Sequence, residues 1–180
     1  MKFTERAHLL SEKGTNRRDF MKRSISKYEW VDKGSSHIMS DFNAFVLSKN
    51  LMEEPKVTSH RASLSVRYAC NLRHLNICIG PNLHEGISQN GHLIYLLLPD
   101  RKLRLEFMDF MYSSDIHTAS HYLNLAKSPY AKRHLQEFHL PNTDSLEARL
   151  CRLPLHFYMT SDDVDEICQV IEDWVLRTLK

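Results

Sequence analysis

Apolar residues near the C-terminus recur every three to four positions, which is the spacing that places them on one side of a helix. Thr160 precedes them as a candidate N-cap, and Asp163, three positions later, completes a variant capping box. Acidic residues in the first turns suit the positive end of the helix dipole, so we interpret them as structural. The pattern predicts an amphipathic helix over about 161–179, with Val164, Ile167, Cys168, Ile171, Trp174, Val175 and Leu179 on its apolar face.

Shorter patterns in the middle of the chain predict both strands and a helix. The apolar run 93–98 is bounded by Gly91 and Pro99, which predicts a buried strand. Segment 101–112 follows with helical spacing, and segment 116–122 alternates and contains a β-branched pair, which predicts a second strand. Together they predict an α/β unit in which the helix covers one face of a sheet.

The remaining patterns predict three further segments. A long helix begins near Ser40 and should be broken or kinked at Pro55, because proline lacks an amide donor. Helical spacing then resumes and continues to Leu72. Residues 76–90 predict a weak strand followed by a loop, and residues 144–150 predict a short helix.

Composition and charge exclude several classes of protein. The 180 residues include 24 Lys and Arg against 22 Asp and Glu, so the net charge of +2 argues against a nucleic-acid partner. The longest apolar run is too short to span a bilayer, and the N-terminus shows no secretory signal pattern. We therefore expect a cytoplasmic protein without a membrane or nucleic-acid partner.

Neither glycine nor cysteine forms a recognisable binding motif. The chain has 5 glycines, which stand singly, so it contains no Gly-rich phosphate loop. Its 4 cysteines include no C-x-x-C pair and fit no disulfide framework, which favours reduced thiols. On a helix, His117 and His121 would share one face and could hold a metal. The alternation of this segment instead favours two polar or cleft histidines on a strand, so we predict no metal site.

Several runs of sequence carry a resemblance to a known family. S-E-K-G-T-N-R at 11–17, K-Y-E-W at 27–30 and G-S-S-H-I-M-S-D at 34–41 resemble the sugar-nucleotide aminotransferases of the DegT/DnrJ/EryC1/StrS group. The first and third runs are specific. Weaker similarities follow in matching order at 90–95, at 121–122 and in R-L-P-L-H-F-Y-M-T at 152–160, so the resemblance covers nearly the whole chain.

The resemblance implies the fold class and the domain organisation. It implies an α/β chain with an α+β small domain, the C-terminal part of an aspartate-aminotransferase-like architecture (PLP fold type I), in which helices cover a small sheet. Residues 1–39 would be the tail of the large PLP domain. Residues 40–72 would be a connecting helix region, interrupted near Pro55. Residues 73–180 would form the small α/β domain.

The resemblance also implies a cofactor, a reaction and partners. Members of the family use pyridoxal phosphate to move an amino group, from glutamate in our interpretation, to a 4-keto sugar nucleotide for bacterial surface polysaccharide such as lipopolysaccharide. They are about twice as long as this chain, and their Schiff-base lysine lies upstream of the segment matched here. Lys2 and Lys13 lie outside the lysine motif, so we expect no catalytic residue in these 180 residues and no activity from them alone.

Expected partners are a nucleotide sugar, a second copy in a homodimer and an upstream PLP-domain fragment. A non-enzymatic binding or assembly module, or a remnant without a role, is the alternative.

Four residues are carried over as candidate site residues. Ser36 stands where relatives have an asparagine that reaches the cofactor phosphate of the neighbouring subunit; alternatively, its hydroxyl marks a helix start. His121 matches a cleft histidine near the sugar nucleotide, or is a buried strand histidine. Asn16 and Arg17 match a loop beside the active site, where a guanidinium suits a diphosphate, or belong to a solvated loop.

The chain departs from the family in two places and predicts one exposed surface. Relatives continue with P-L-H after the H-Y pair, and they keep the helix near Pro55 continuous.

If the large-domain half is absent, the apolar residues that pack on it should be exposed. We expect this apolar surface at Trp30, Phe42, Phe45, Val46 and Leu47.

Overall fold

A computed structural model describes residues 2–81, 89–136 and 139–179, which divide into two compact units between Glu53 and Glu54. None of the helices in these ranges is long and apolar enough to cross a membrane. The first unit contains α1 (Lys2–Ser11), α2 (Arg17–Met21) and the beginning of α3 (Asp41–Leu72). The second unit contains the rest of α3, followed by β1 (Cys78–Gly80), β2 (Tyr95–Leu97), α4 (Arg101–Ser113), a 3-10 turn (Leu125–Lys127), α5 (Pro129–His134), α6 (Pro141–Arg149), β3 (Leu150–Arg152) and α7 (Ser161–Thr178).

Helix α3 is continuous through Pro55, so the interruption expected near this proline is wrong. Proline removes one hydrogen bond of the helix, to the carbonyl of Leu51, and leaves the bonds of the flanking turns in place. Leu51 is 60% exposed, so the carbonyl that loses its partner belongs to a surface residue and not to the core. At this exposed position, proline therefore removes one hydrogen bond from the helix without interrupting it.

A three-stranded antiparallel sheet, in the order β1-β2-β3, forms the centre of the second unit. Leu96 of β2 pairs with Ile79 of β1 on one side and with Cys151 of β3 on the other. The strand predicted within 93–98 is confirmed, and the weak strand predicted within 76–90 is the short β1, whereas residues 82–88 of its loop lie outside the described residues.

The strand predicted over 116–122 is wrong. Only Ala119 of this segment pairs, through an isolated bridge to Arg152 of β3. Alternation indicates which side chains share a face, but it does not supply a neighbouring strand. The third strand of the sheet is instead β3, which sequence analysis missed because its three residues give too short a pattern.

Helices α3, α4 and α7 bury their apolar faces in one core with the sheet. Leu64, Tyr68 and Leu72 line the buried face of α3, and Phe107 of α4 meets Trp174 of α7 edge to face at 5.0 Å between ring centroids. These residues join the buried strand positions in a single cluster, which includes Leu96, Leu98, Met111, Cys151, Leu153, Val164, Cys168 and Ile171. The helices predicted over 101–112 and 161–179 are confirmed, because each carries a continuous apolar face that the sheet can cover.

Removing the N-terminal cap of α7 is expected to destabilise the second unit. The Thr160 hydroxyl accepts a hydrogen bond from the Asp163 amide, and the Asp163 carboxylate accepts one from the Thr160 amide at 2.7 Å. Thr160→Ala should lower the free energy of unfolding by about 1 kcal/mol, a typical cost for losing an N-cap. Urea denaturation measures this change. Ser161→Ala, one residue later, is the control and should be close to neutral; equal effects of the two variants would contradict the capping role.

The expected apolar surface of the first unit is confirmed. Trp30 is 78% exposed and Phe42 75%, and Phe45, Val46 and Leu47 are each exposed by more than a third. The four on α3 lie within six consecutive positions, so they are concentrated at the start of the helix. We refer to these five residues as the apolar surface.

Candidate functional site

The three runs of the first unit that carry the resemblance meet in a short antiparallel ribbon, formed by residues 11–16 and 29–37. Isolated bridges join Glu12 to Ser36 and Thr15 to Trp30. Between them, the Lys13 amide donates to the Ser35 carbonyl at 3.1 Å. Residues that are distant in the sequence therefore become neighbours.

Gly14 and Gly34 let the two segments of the ribbon approach each other. Gly14 has φ +72°, and a Cβ atom on it would lie 1.6 Å from the carbonyl oxygen of Asp32. A Cβ atom on Gly34 would lie 2.2 Å from the Gly14 amide nitrogen. Each motif thus contributes the one residue type that the contact permits.

Arg17 and Ser36, two of the candidate residues, line one pocket of about 220 Å³ in the first unit. The other lining residues are Ser11, Glu12, Lys13, Thr15, Tyr28 and Ile38. Asn16 lines a neighbouring pocket of about 500 Å³, and its side-chain oxygen accepts a hydrogen bond from the Glu29 amide at 2.7 Å. This bond leaves the NH₂ group of Asn16 as a donor toward a ligand.

The pocket that Arg17 and Ser36 share has the donors that a phosphate group requires. Ser36 and Tyr28 supply hydroxyls, and Arg17 supplies a guanidinium that can bind two phosphate oxygens at once. Lys13 adds a second cation, against the single carboxylate of the lining, that of Glu12. The lining therefore fits a phosphate group, whether that of pyridoxal phosphate or one of a nucleotide sugar.

His121, the fourth candidate residue, lies in the second unit and is held by Arg152. The Nη1 group of Arg152 is 3.1 Å from His121 Nδ1. Because a guanidinium can only donate, Nδ1 accepts, and a neutral His121 carries its proton on Nε2. Desolvation lowers the pKa of His121 below its usual value, and the charge of Arg152 lowers it further, as does His92. His121 therefore presents a neutral N–H donor at Nε2.

A second arginine meets Arg152 at the carbonyl oxygen of His92. Arg61 donates to this oxygen through Nη2 at 2.8 Å, and Arg152 donates to it through Nη2 at 3.2 Å. Gly91 permits the approach, because a Cβ atom at its φ of +60° would lie 2.6 Å from the Ala62 amide nitrogen. We refer to Arg61, His92, His121 and Arg152 as the arginine–histidine cluster.

Sequence analysis missed Arg61 and gave Arg152 no role. Arg152 lies in the R-L-P-L run, which was noted only as a resemblance, and its proximity to His121 depends on the pairing of Ala119 with β3. His117 makes an edge contact with Tyr112 and not with His121. Among the described residues, no three His, Cys, Asp or Glu side chains are grouped as metal ligands.

The fold of the described chain is that of sugar aminotransferases. The aminotransferase TlmJ from Streptoalloteichus hindustanus is similar with a TM-score of 0.83 and 20% identity, over 99% of this chain and 46% of TlmJ. The PLP-form of the putative sugar aminotransferase Spr1654 from Streptococcus pneumoniae is similar with a TM-score of 0.83 and 18% identity, over 99% and 45% of the two chains. PseC of Helicobacter pylori, an aminotransferase involved in the biosynthesis of pseudoaminic acid, is similar with a TM-score of 0.78 and 15% identity, over 94% and 45%.

Residues 2–172 match the DegT/DnrJ/EryC1/StrS aminotransferase family, and the chain belongs to that family. It spans less than half the length of the solved structures described above. The resemblance read from the two glycine-containing motifs is thereby confirmed at the level of the family and the fold.

Proposed function

We propose that these 180 residues contribute the C-terminal half of a PLP-dependent sugar-nucleotide aminotransferase. The observation that carries the proposal is the pocket where Ser36 and Arg17 meet, because its hydroxyls and cations suit a phosphate group. The reaction moves an amino group from glutamate to a 4-keto-6-deoxy sugar nucleotide. We propose further that this enzyme is of the kind of the TDP-4-keto-6-deoxyglucose transaminase of surface polysaccharide synthesis, lipopolysaccharide and enterobacterial common antigen included.

Each candidate residue has a role in this proposal. Ser36 donates a hydrogen bond to the cofactor phosphate bound by the neighbouring subunit of a homodimer. Arg17 and Asn16 of the first unit are assigned to the diphosphate of a nucleotide sugar. His121 of the second unit, taken separately, is assigned as an Nε2–H donor to a nucleotide sugar. Pyridoxal phosphate, when bound, supplies the electron sink for the amino transfer. The Schiff-base lysine comes from the large-domain half, on the same polypeptide or on another, in the cytoplasm.

The test combines the chain with the half that bears the lysine, as one polypeptide or as a co-expressed pair. With glutamate and TDP-4-keto-6-deoxyglucose, the combination should form 2-oxoglutarate and the amino sugar nucleotide, which mass spectrometry detects. The 180 residues alone, treated with pyridoxal phosphate and borohydride, should carry no specific lysine adduct. A single trapped lysine in these residues would contradict the assignment of that lysine to the other half.

The role of Ser36 is tested in the same combined enzyme. Ser36→Ala should weaken pyridoxal phosphate binding about tenfold, the effect of losing one hydrogen bond to a charged group. Ser35→Ala is the matched control, because Ser35 is adjacent but does not line the pocket. Equal cofactor affinity of the two variants would contradict the phosphate contact.

The exposed apolar surface favours a second candidate function, a non-enzymatic assembly module. Its exposed aromatic residues, Trp30, Phe42 and Phe45, are of the kind that bind other proteins. The two candidate functions predict different results for the combined enzyme. Halves that bind each other without transferring an amino group would favour assembly over catalysis.

A further inference from the structure

Two guanidinium groups of the arginine–histidine cluster share a single neutral acceptor. Arg61 and Arg152 both donate to the carbonyl oxygen of His92, at 2.8 and 3.2 Å. A carbonyl oxygen can accept both bonds, but it cannot neutralise two positive charges. Among the described residues, their mutual repulsion is opposed by hydrogen bonds to this oxygen and, for Arg152, to Nδ1 of His121, both of which are neutral acceptors.

The described residues provide no carboxylate for either arginine. Within residues 2–81, 89–136 and 139–179, the salt bridges of arginine involve Arg6, Arg67 and Arg177. The Nε atom of Arg61 is buried and has no hydrogen-bond partner in the same ranges. Buried polar groups without a partner are rare in native proteins.

The backbone holds both arginines in place. Gly91 packs against the backbone of α3 at Arg61 and Ala62, so the segment that carries the His92 carbonyl cannot move away from α3 without losing this contact. Arg152 exchanges two backbone hydrogen bonds with Ala119, at 2.7 and 3.1 Å. These contacts fix the backbone from which both arginines extend, and the hydrogen bonds to His92 and His121 orient their guanidinium groups.

His121 extends the cluster with a donor of a different kind. Its Nδ1 is occupied by Arg152, so its Nε2–H remains for a ligand. Within the part of the chain that the structure describes, the ionisable groups that face it are Arg152, His92 and its ring neighbour Tyr122, and none of them is a carboxylate. Arg61, Arg152 and His121 are all partly accessible to solvent, so an anion can reach them.

We propose that Arg61, Arg152 and His121 form a binding site for a phosphoryl group. The guanidinium groups supply the charge, and the Nε2–H of His121 supplies an additional donor to a phosphoryl oxygen. A phosphoryl group can come from a nucleoside diphosphate or from pyridoxal phosphate. Assignment to a phosphoryl group of a nucleotide sugar rests on the role of His121 in the proposed function, whereas the site itself does not.

The test uses the 180-residue chain without any other half. Inorganic pyrophosphate, thymidine diphosphate and pyridoxal phosphate are titrated separately, while ¹H–¹⁵N NMR follows the imidazole of His121. A bound anion should raise the pKa of His121, because a negative charge favours the imidazolium form. Tighter binding of thymidine diphosphate than of pyridoxal phosphate identifies the nucleotide source, and the reverse order identifies the cofactor.

Matched substitutions decide whether these arginines form the site. Arg61→Gln and Arg152→Gln should each weaken pyrophosphate binding about tenfold, whereas Arg73→Gln, which removes the same charge outside the cluster, should not. If Arg152→Gln disturbs folding, Arg152→Lys, which retains the charge, is the variant to measure in its place. Affinity that is unchanged in Arg61→Gln, or an unaltered His121 titration with all three probes, would overturn the proposal. Either result leaves the amino-transfer test of the combined enzyme unaffected.

Discussion

Replacing Phe107 with alanine is expected to lower the free energy of unfolding of the second unit by about 3–5 kcal/mol. Phe107 is completely buried, and its ring meets Trp174 edge to face, at 5.0 Å and an interplanar angle of 72°. The substitution removes the apolar contacts of the ring and leaves a cavity between α4 and α7. Such aromatic pairs also contribute about 0.5–1.5 kcal/mol beyond the area that they bury.

Urea denaturation followed by tryptophan fluorescence measures the loss, because Trp174 reports on the same contact. Tyr112→Ala is the matched control on the same helix, since Tyr112 is 66% exposed. Its free energy of unfolding should change by about 0.5 kcal/mol or less. A Phe107→Ala variant as stable as the Tyr112→Ala variant would show that the α4–α7 contact is not part of the folded core.

Replacing Gly14 with alanine is expected to separate the two segments of the ribbon. The new Cβ atom would overlap the carbonyl oxygen of Asp32, 1.6 Å away, which is a backbone atom and cannot rotate aside. The left-handed conformation of Gly14 adds about 1–2 kcal/mol of strain for a residue with a side chain. Arg17 and Ser36 would then no longer line a common pocket.

Hydrogen exchange detects this separation directly. The amides of Val31 and Asp32 donate to the Gly14 carbonyl at 2.8 and 2.9 Å, so they should exchange slowly in the original chain and fast in Gly14→Ala. Lys33→Ala is the control, because Lys33 is exposed and neighbours the contact. Retained protection of Val31 and Asp32 in Gly14→Ala would show that the ribbon tolerates a side chain at this position.

Those elements that carry their own pattern were predictable from the sequence. Helix α7 has a capping box and a complete apolar face, both of which are local properties. Strand β3 has neither, and it exists because Leu96 of β2 pairs with Cys151. The same dependence on a partner explains segment 116–122, where alternation is present but only Ala119 meets a neighbouring strand.

The candidate site was predictable only in part. The two glycine-containing motifs indicated Arg17 and Ser36 separately, and their shared pocket follows from a backbone contact that no local pattern contains. The arginine–histidine cluster was even harder to predict from the sequence. Arg61 lies on α3 and Arg152 on β3, and the carbonyl on which they converge belongs to a third segment. A backbone oxygen has no signature in the sequence.

The contact between Gly14 and Gly34 also determines where residues can be inserted without disrupting the ribbon. The turn at 22–27 connects its two segments and is largely exposed, so additional residues there would extend into solvent. The entropy of loop closure changes slowly with length, so each doubling of this loop should lower the free energy of unfolding by only about 0.6 kcal/mol. The spacing between the two motifs is thus free to vary among proteins that share this ribbon, while the two glycines act as one inseparable feature.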